Sequence, residues 1–342
     1  MHDGSTKRSF PDGTLQIVSD SPLVYLLRVA YPNVAGKSTN VYIIPGGDGA
    51  LLVDAGFFGQ ASLARVESAL AQLGLAGAPL EVFVTHVHLD HAGLSPQLAS
   101  RHELRVYVGR REYAEMVALA DPERGPQREW GHLAAHGVDP ALIAQARSMG
   151  SHSLCLSEGL DVVVVDSGQV LTWDARRYEV LVLSGHVPGH MGLWQPDARL
   201  LFSGDHLLFS VTPTLQPDPD APDALSRYFR NLDMVCSLKP RTLLHSHGAI
   251  KDGYEDRAQW IIDHQRRRME RAFDLVCSQP GSHGQDIIKQ LGWSLGGLPW
   301  DEVNVPLRIC VLETGVVVLD QLVADGRVVR EIQDGVYRYR AL

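Results

Sequence analysis

Cysteine is scarce in this 342-residue chain: four residues, at positions 155, 236, 277 and 310, with no Cys-x-x-Cys pair. Thiols so few and so far apart argue for reduced cysteines in a cytoplasmic protein and against a cysteine-built zinc site. Long apolar runs are missing too. The best early one, 23–31, is broken by Arg28 and falls far short of the ~20 residues that a membrane span needs. No apolar stretch follows the charges between Met1 and Arg8, so no secretory signal is expected. Positive charge is in deficit. The formal net charge of −9 makes the chain as a whole a poor binder of polyanions. Repeats and low-complexity tracts are absent, and the 45% apolar content is ordinary for a globular protein. The length favours a large unit plus a smaller one.

Histidine, by contrast, is plentiful. There are 15, several in tight clusters with aspartate between them, a pattern that suggests metal or proton chemistry. The densest cluster is His86-Val-His88-Leu-Asp90-His91. It follows the apolar run 80–85, which reads as a buried strand, so it lies on the loop at that strand's C-terminal end. Histidines two apart on extended backbone can face one ion, while Asp90 and His91 project toward a second. Neutral imidazole and carboxylate suit zinc and similar divalent ions. Surface histidines on a loop would be the plain alternative for one residue, but that is a poor account of three histidines and an aspartate within six positions.

Other strand-like runs end in the same way. The run 50–54 ends at Asp54 before Ala55-Gly56, a turn signal. The run 177–183 leads to Ser184-Gly-His186-Val-Pro-Gly-His190, 200–203 to Gly204-Asp205-His206, and 241–245 to His245-Ser-His247-Gly248. Such ends converge at one edge of a sheet in α/β proteins. Residues 60–73 read as an amphipathic helix. Residues 110–158 read as a helical insertion, with helices near 111–120, 127–136 and 140–149. The expected division is a layered α/β unit over 1–253 and a C-terminal unit over 254–342. The latter reads as a long helix, a short helix, a helix near 310–324 and a hairpin turning at Asp334-Gly335, the outline of a winged helix.

Five segments in order resemble the metallo-β-lactamase-fold hydrolase superfamily, above all its glyoxalase II-like branch. They are Val53-Asp54-Ala-Gly56, the 86–91 cluster, Gly185-His186-Val-Pro-Gly-His190, Ser203-Gly-Asp205 and Ser246-His247-Gly248, spanning roughly 20–250. The resemblance implies an αββα metallo-β-lactamase sandwich carrying the helical insertion and the winged-helix-like domain. It implies two divalent ions, zinc first with iron or manganese as alternatives. His86, His88 and His186 would bind one ion, and Asp90, His91 and His247 the other. Asp205 would bridge both together with a hydroxide, and Asp54 would orient a ligand histidine. The second ion, with Asp90 nearby, would hold and orient the nucleophile and help protonate the leaving group. The family's usual Pro-Gly-His-Gly is replaced here by His245-Ser246-His247-Gly248; the glycine that follows favours His247 over His245. His88 stands where flavin-linked di-iron relatives usually carry Glu, which points to hydrolysis.

The implied reaction is attack of a metal-bridging hydroxide on an ester, thioester or lactone carbonyl of a small metabolite. A nuclease of the same fold, a single-iron persulfide dioxygenase and a metal-binding regulator are the competing functions. From 254 to 342, 11 basic residues face 13 acidic ones, and nucleic-acid modules usually show a basic patch. The expected partner is therefore a small acyl substrate, with neither nucleic acid nor membrane, and a homodimer is compatible. Hydrolysis of β-lactam drugs is disfavoured, because no export signal is read. Tyr113, Trp130, His132 and His136 are candidates for a pocket wall, although aromatics on such helices are more often simply packed. The run Arg266-Arg-Arg268 reads as a solvated helix face.

Overall fold

The computed structural model describes residues 15–31, 37–123, 125–150, 153–154 and 159–342. Met1 to Arg8, Cys155 and the end of the 110–158 insertion lie outside them. The first sheet runs in the order β1 (Leu15–Asp20), β2 (Leu23–Ala30), β3 (Ser38–Gly46), β4 (Gly49–Val53), β5 (Leu80–Phe83), β6 (Leu104–Gly109), β7 (Asp161–Val165). Its neighbours are antiparallel as far as β4 and parallel beyond it. The second sheet is built from β8 (Val170–Trp173), β9 (Arg176–Val182), β10 (Met191–Gln195), β11 (Leu200–Gly204) and β12 (Thr242–His245). Only its β11–β12 pair is parallel.

The apolar runs are near-continuous because both faces of each sheet are covered. Leu26, Tyr42, Leu51, Val53 and Phe83 of the first sheet meet Val180, Leu193, Phe202 and Leu244 of the second. Their sequence neighbours point the other way, since successive side chains alternate across a strand. Leu52, Val82 and Val106 pack under Leu63, Val66 and Leu70 of α1 (Gln60–Gln72), beside the short helices α2 (Leu89–Ala92) and α3 (Ser95–Ala99). Met116 of α4 (Arg110–Leu119) joins that layer. On the far side, Leu181, Trp194, Leu201 and Leu243 pack under helices. The layers therefore run helix, sheet, sheet, helix, as the αββα expectation holds.

One apolar cluster fills that far layer. It includes α5 (Gly125–Ala135) and α6 (Pro140–Ser148) of the insertion, α7 (Ala224–Leu238), and α8 (Tyr254–Ser278), α9 (Gly284–Lys289) and α10 (Val305–Ala324). The insertion and the C-terminal segment thus share one core with the second sheet. Helix α10 is apolar on nearly every side because nearly every side is buried. Asn304 caps it by accepting from Leu307 N–H at 3.0 Å, and Pro306 sits in its first turn. At Gly315 an added Cβ would lie 2.4 Å from Ile288 of α9, so glycine permits the close helix approach. Strands β13 (Ser282–His283), β14 (Val328–Gln333) and β15 (Val336–Ala341) form a third sheet in the order β13-β15-β14. Asp334 and Gly335 turn its hairpin with φ of 54° and 79°, as the Asp-Gly signal predicts. Among the described residues no helix is long and apolar enough to cross a membrane.

One expectation is overturned. Arg268 does not lie on a solvated face. It is buried, with its guanidinium 4.0 Å from the Trp293 ring centroid and bonded to Gln265 Oε1 at 2.7 Å. Helical spacing places it toward the segment that follows α9, where the face of Trp293 receives the cation.

Candidate metal centre

The parallel pairs β4–β5 and β11–β12 end at the same edge of the sandwich, and the conspicuous residues stand at those ends. Asp54 follows β4 with φ of 62°. That turn aims its carboxylate across to the end of β5, where Oδ1 accepts from Thr85 N–H at 2.8 Å. His86 and His88 continue the β5 line, and α2 then turns Asp90 and His91 toward the same point. His186 comes from the β9–β10 loop, Asp205 from the end of β11 and His247 from just past β12. Gly204 is required before Asp205: its φ is 53°, and a Cβ there would lie 2.5 Å from His190 Nε2.

Three groups of side chains converge: His86, His88 and His186; His86, His91 and Asp205; and Asp90, His91 and His247. His88 Nδ1 lies 2.9 Å from His86 Nε2 and 3.1 Å from His186 Nε2. On the other side, His247 Nε2 lies 3.1 Å from Asp205 Oδ2 and 3.5 Å from Asp90 Oδ2, and His91 Nε2 lies 3.3 Å from Asp90 Oδ2. Asp205 reaches both sides, with Oδ2 3.7 Å from His186 Nε2 and Oδ1 3.7 Å from His91 Nε2. The alternative left by the sequence also separates. His247 faces the cluster. His245 is buried against Phe209, with ring centroids 5.3 Å apart, and its ring belongs to none of the three groups.

Hydrogen bonds set which nitrogen of each ring carries the proton. His186 Nδ1 donates to Thr214 O at 2.8 Å, and His247 Nδ1 to Ser38 O at 3.0 Å. A carbonyl only accepts, so Nε2 of each neutral ring presents a lone pair. His91 Nδ1 donates to Asp54 Oδ2 at 2.7 Å, so in the neutral form of this ring the lone pair is again on Nε2. Thr85 Oγ1 is spent on Asp54, so at 3.1 Å it accepts from His86 Nδ1. These lone pairs point at one another. A single proton on His88 can serve only one of its two neighbours. His91 Nε2 and Asp205 Oδ1 are buried without a hydrogen-bond partner among the described residues. Inward lone pairs and orphaned buried acceptors are the donor set of a divalent ion, so the residues fit the metal the sequence implies.

The charges agree with that fit. Burial, with smaller pushes from neighbouring histidines, holds His86 well below its ordinary value and takes His88 down to about 3. Burial lowers His186 as well. Neutral rings of this kind are ready to ligate. Burial works against the charges of Asp90 and Asp205, yet the His91 and His247 beside them hold both carboxyls below the usual range. Burial likewise opposes the charge on His91, but Asp90, Asp54 and Asp205 raise it well above its ordinary value. Positive charge is therefore favoured where three carboxylates meet.

Several groups at the site carry no sequence signal. The Tyr31 hydroxyl donates to Asp90 Oδ2. Glu112 of α4 accepts from Val87 N–H at 3.0 Å and from Gly189 N–H. One carboxyl thus joins the loop of His86 and His88 to the loop of His186, and a Cβ at Gly189 would lie 2.5 Å from its Oε1. Burial pushes this carboxyl up to about 7. Lone tyrosines and glutamates have no spacing to betray them. Of the insertion's candidates, Tyr113 packs against the α1 layer, and Trp130 is buried. His136 is buried with its ring centroid 5.1 Å from Tyr337. His132 Nε2 lies 4.0 Å from Glu313 of α10.

The family model described as "Metallo-beta-lactamase superfamily" matches residues 34–247. A solved structure, a beta-lactamase domain protein from Burkholderia ambifaria, superposes with a TM-score of 0.80 at 24% identity, covering 99% of this chain and 97% of that one. The chain is 22% identical over 296 residues to the Beta-lactamase-like protein 2 homolog of Caenorhabditis elegans, covering 85% of this chain and 80% of that protein. It is 25% identical over 267 residues to the Atrochrysone carboxyl ACP thioesterase of Aspergillus fumigatus, covering 78% and 68%.

Proposed function

The chain belongs to the metallo-beta-lactamase superfamily and is a metallo-hydrolase, and from that premise we propose that it cleaves an acyl substrate, a thioester first and an ester or lactone next, at a two-ion centre. The observation that carries this reading is Asp205, whose two oxygens reach histidines of both clusters. His86, His88 and His186 would hold one divalent ion and Asp90, His91 and His247 the other, with Asp205 between them. Divalent ions so placed supply a nucleophile from water at neutral pH and draw charge from a carbonyl oxygen. Zinc is the expected metal.

The chain's own residues do the rest. Asp54 fixes the His91 ring by its bond to Nδ1, and Thr214 and Ser38 fix His186 and His247 in the same way. Asp90, at the more open side of the cluster, is kept ionised despite its burial by the His91 and His247 beside it, so its Oδ2 orients and does not deliver the proton a leaving group would need. Tyr31 orients that oxygen. A thiolate leaving group makes little demand for the proton, consistent with the thioesterase named among the relatives. We read the C-terminal unit as winged-helix-like with a packing role, since its acidic balance does not favour nucleic acid.

The test is metal quantification on the purified chain together with a panel of thioesters, lactones, esters and phosphodiesters. We expect about two divalent ions per chain, acyl turnover, and a loss of about 10²-fold or more in His86→Ala, comparable to removing one group that stabilises the transition state. Turnover on a phosphodiester alone, or one iron per chain with oxygen consumption, would overturn the proposal.

A further inference from the structure

The segment between β11 and α7 carries hydrogen-bond partners of two site histidines. Thr214 O accepts from His186 Nδ1 at 2.8 Å, and Gln216 N–H donates to His186 O at 3.0 Å. The Gln216 side-chain amide meets His88 Nε2 at 3.3 Å. Residues 206–217 contain no helix or strand of their own. Something else must hold 214–216 still, because outer partners orient ligand rings only if they are themselves fixed.

The C-terminal unit does so at three points. Arg257 of α8 donates to Leu208 O and to Val211 O, both at 2.7 Å. Thr314 of α10 accepts from Leu215 N–H at 3.0 Å, in a buried bond between residues 99 positions apart. Leu215 is itself buried in the cluster that contains α10. Its amide lies between the two residues that meet His186 and His88, so the Thr314 hydroxyl is one peptide from each contact.

We propose that the C-terminal unit is part of the metal centre's support, and that Thr314 is a positioning residue for His186 and His88. Losing its oxygen leaves the Leu215 amide buried without an acceptor, and the segment relaxes to find one. Both rings then lose their fixed direction, and ion binding weakens. The inference rests on reading His86, His88 and His186 as an ion site. The parent chain's own affinity tests that reading, whereas the ratio of variant to parent tests Thr314.

The experiment uses the full chain, stripped of metal and titrated with Zn²⁺ against a competing chelator. Thr314→Val keeps the shape and removes the oxygen. Thr314→Ser keeps the oxygen. We expect Thr314→Val to weaken Zn²⁺ binding by about 5- to 10-fold, the range of one lost hydrogen bond rising toward that of an outer-shell partner, and Thr314→Ser to stay within about twofold of the parent. Arg257→Gln, which loosens the same segment further along, should weaken binding in the same direction. Melting of the metal-free variants separates a general packing role. A lower melting temperature with unchanged Zn²⁺ affinity in Thr314→Val overturns the proposal, as does an equal loss in Thr314→Ser.

Discussion

Among the described residues, Glu313 is a carboxyl with no lysine or arginine beside it. It faces His132 Nε2 at 4.0 Å from within a mostly apolar helix. Burial, with a smaller push from Glu129, takes it from an ordinary 4.5 up to about 8. Burial lowers the facing His132 to about 4, so that ring brings no positive charge at neutral pH. The folded chain therefore keeps a proton that the unfolded chain releases between about 4.5 and 8. The stability that Glu313 contributes thus falls as pH rises through that window and levels off above it. Glu313→Gln removes the titration. Relative to the parent, the variant should gain about 1–3 kcal/mol between pH 5 and pH 8.5, taking 1.36 kcal/mol per pH unit and discounting for partial exposure. Denaturant unfolding of both proteins at the two pH values measures this. A variant-to-parent difference that does not change with pH would rule the account out.

At the scale of elements, the site depends on how loops are tied to one another. Glu112 is the tie between the loop after β5 and the loop after β9, through Val87 and Gly189 N–H. Glu112→Ala leaves both donors buried and unpaired. At about 1–3 kcal/mol each, the loss should be about 2–6 kcal/mol, read from unfolding of the metal-free protein at pH 6, where the native carboxyl is largely uncharged. A loss under about 1 kcal/mol would show that the loops hold without it. This tie also marks what a sequence can reveal. Strands β4, β5, β11 and β12 are apolar on both faces and end in Asp or His, so element and ligand are written together. Helix α7 has Leu225, Tyr228, Leu232 and Val235 at helical spacing, yet it is not among the helices expected from the sequence. Strands β1 and β8 are largely half-exposed and short, and their patterns are weak. Glu112, Tyr31, Thr214 and Thr314 act through one or two contacts across the fold. No periodicity encodes such contacts, so they become visible only once the chain is folded.

For the whole molecule, the question is whether 1–253 and 254–342 behave as two units. The sequence suggests a boundary, since the strand pattern stops near Tyr254. The packing crosses it. Leu201 and Leu243 of the second sheet share one buried cluster with Ile261, Ile262 and Met269 of α8 and with Leu312 and Val316 of α10. Trp130, Leu133 and Leu142 of the insertion belong to the same cluster. Separating the segments would expose all of these side chains, and each fully buried Leu, Ile, Phe or Met is worth about 1.5–3 kcal/mol. A handful of them amounts to the whole stability of an ordinary domain, about 5–15 kcal/mol. Neither segment should therefore stay folded while the other unfolds. Calorimetry of the metal-free chain should show one transition, with calorimetric and van't Hoff enthalpies in agreement. Two resolved transitions would mean that the shared cluster is energetically divisible. In that case the support that Thr314 and Arg257 give the metal centre would come from a unit able to detach from it.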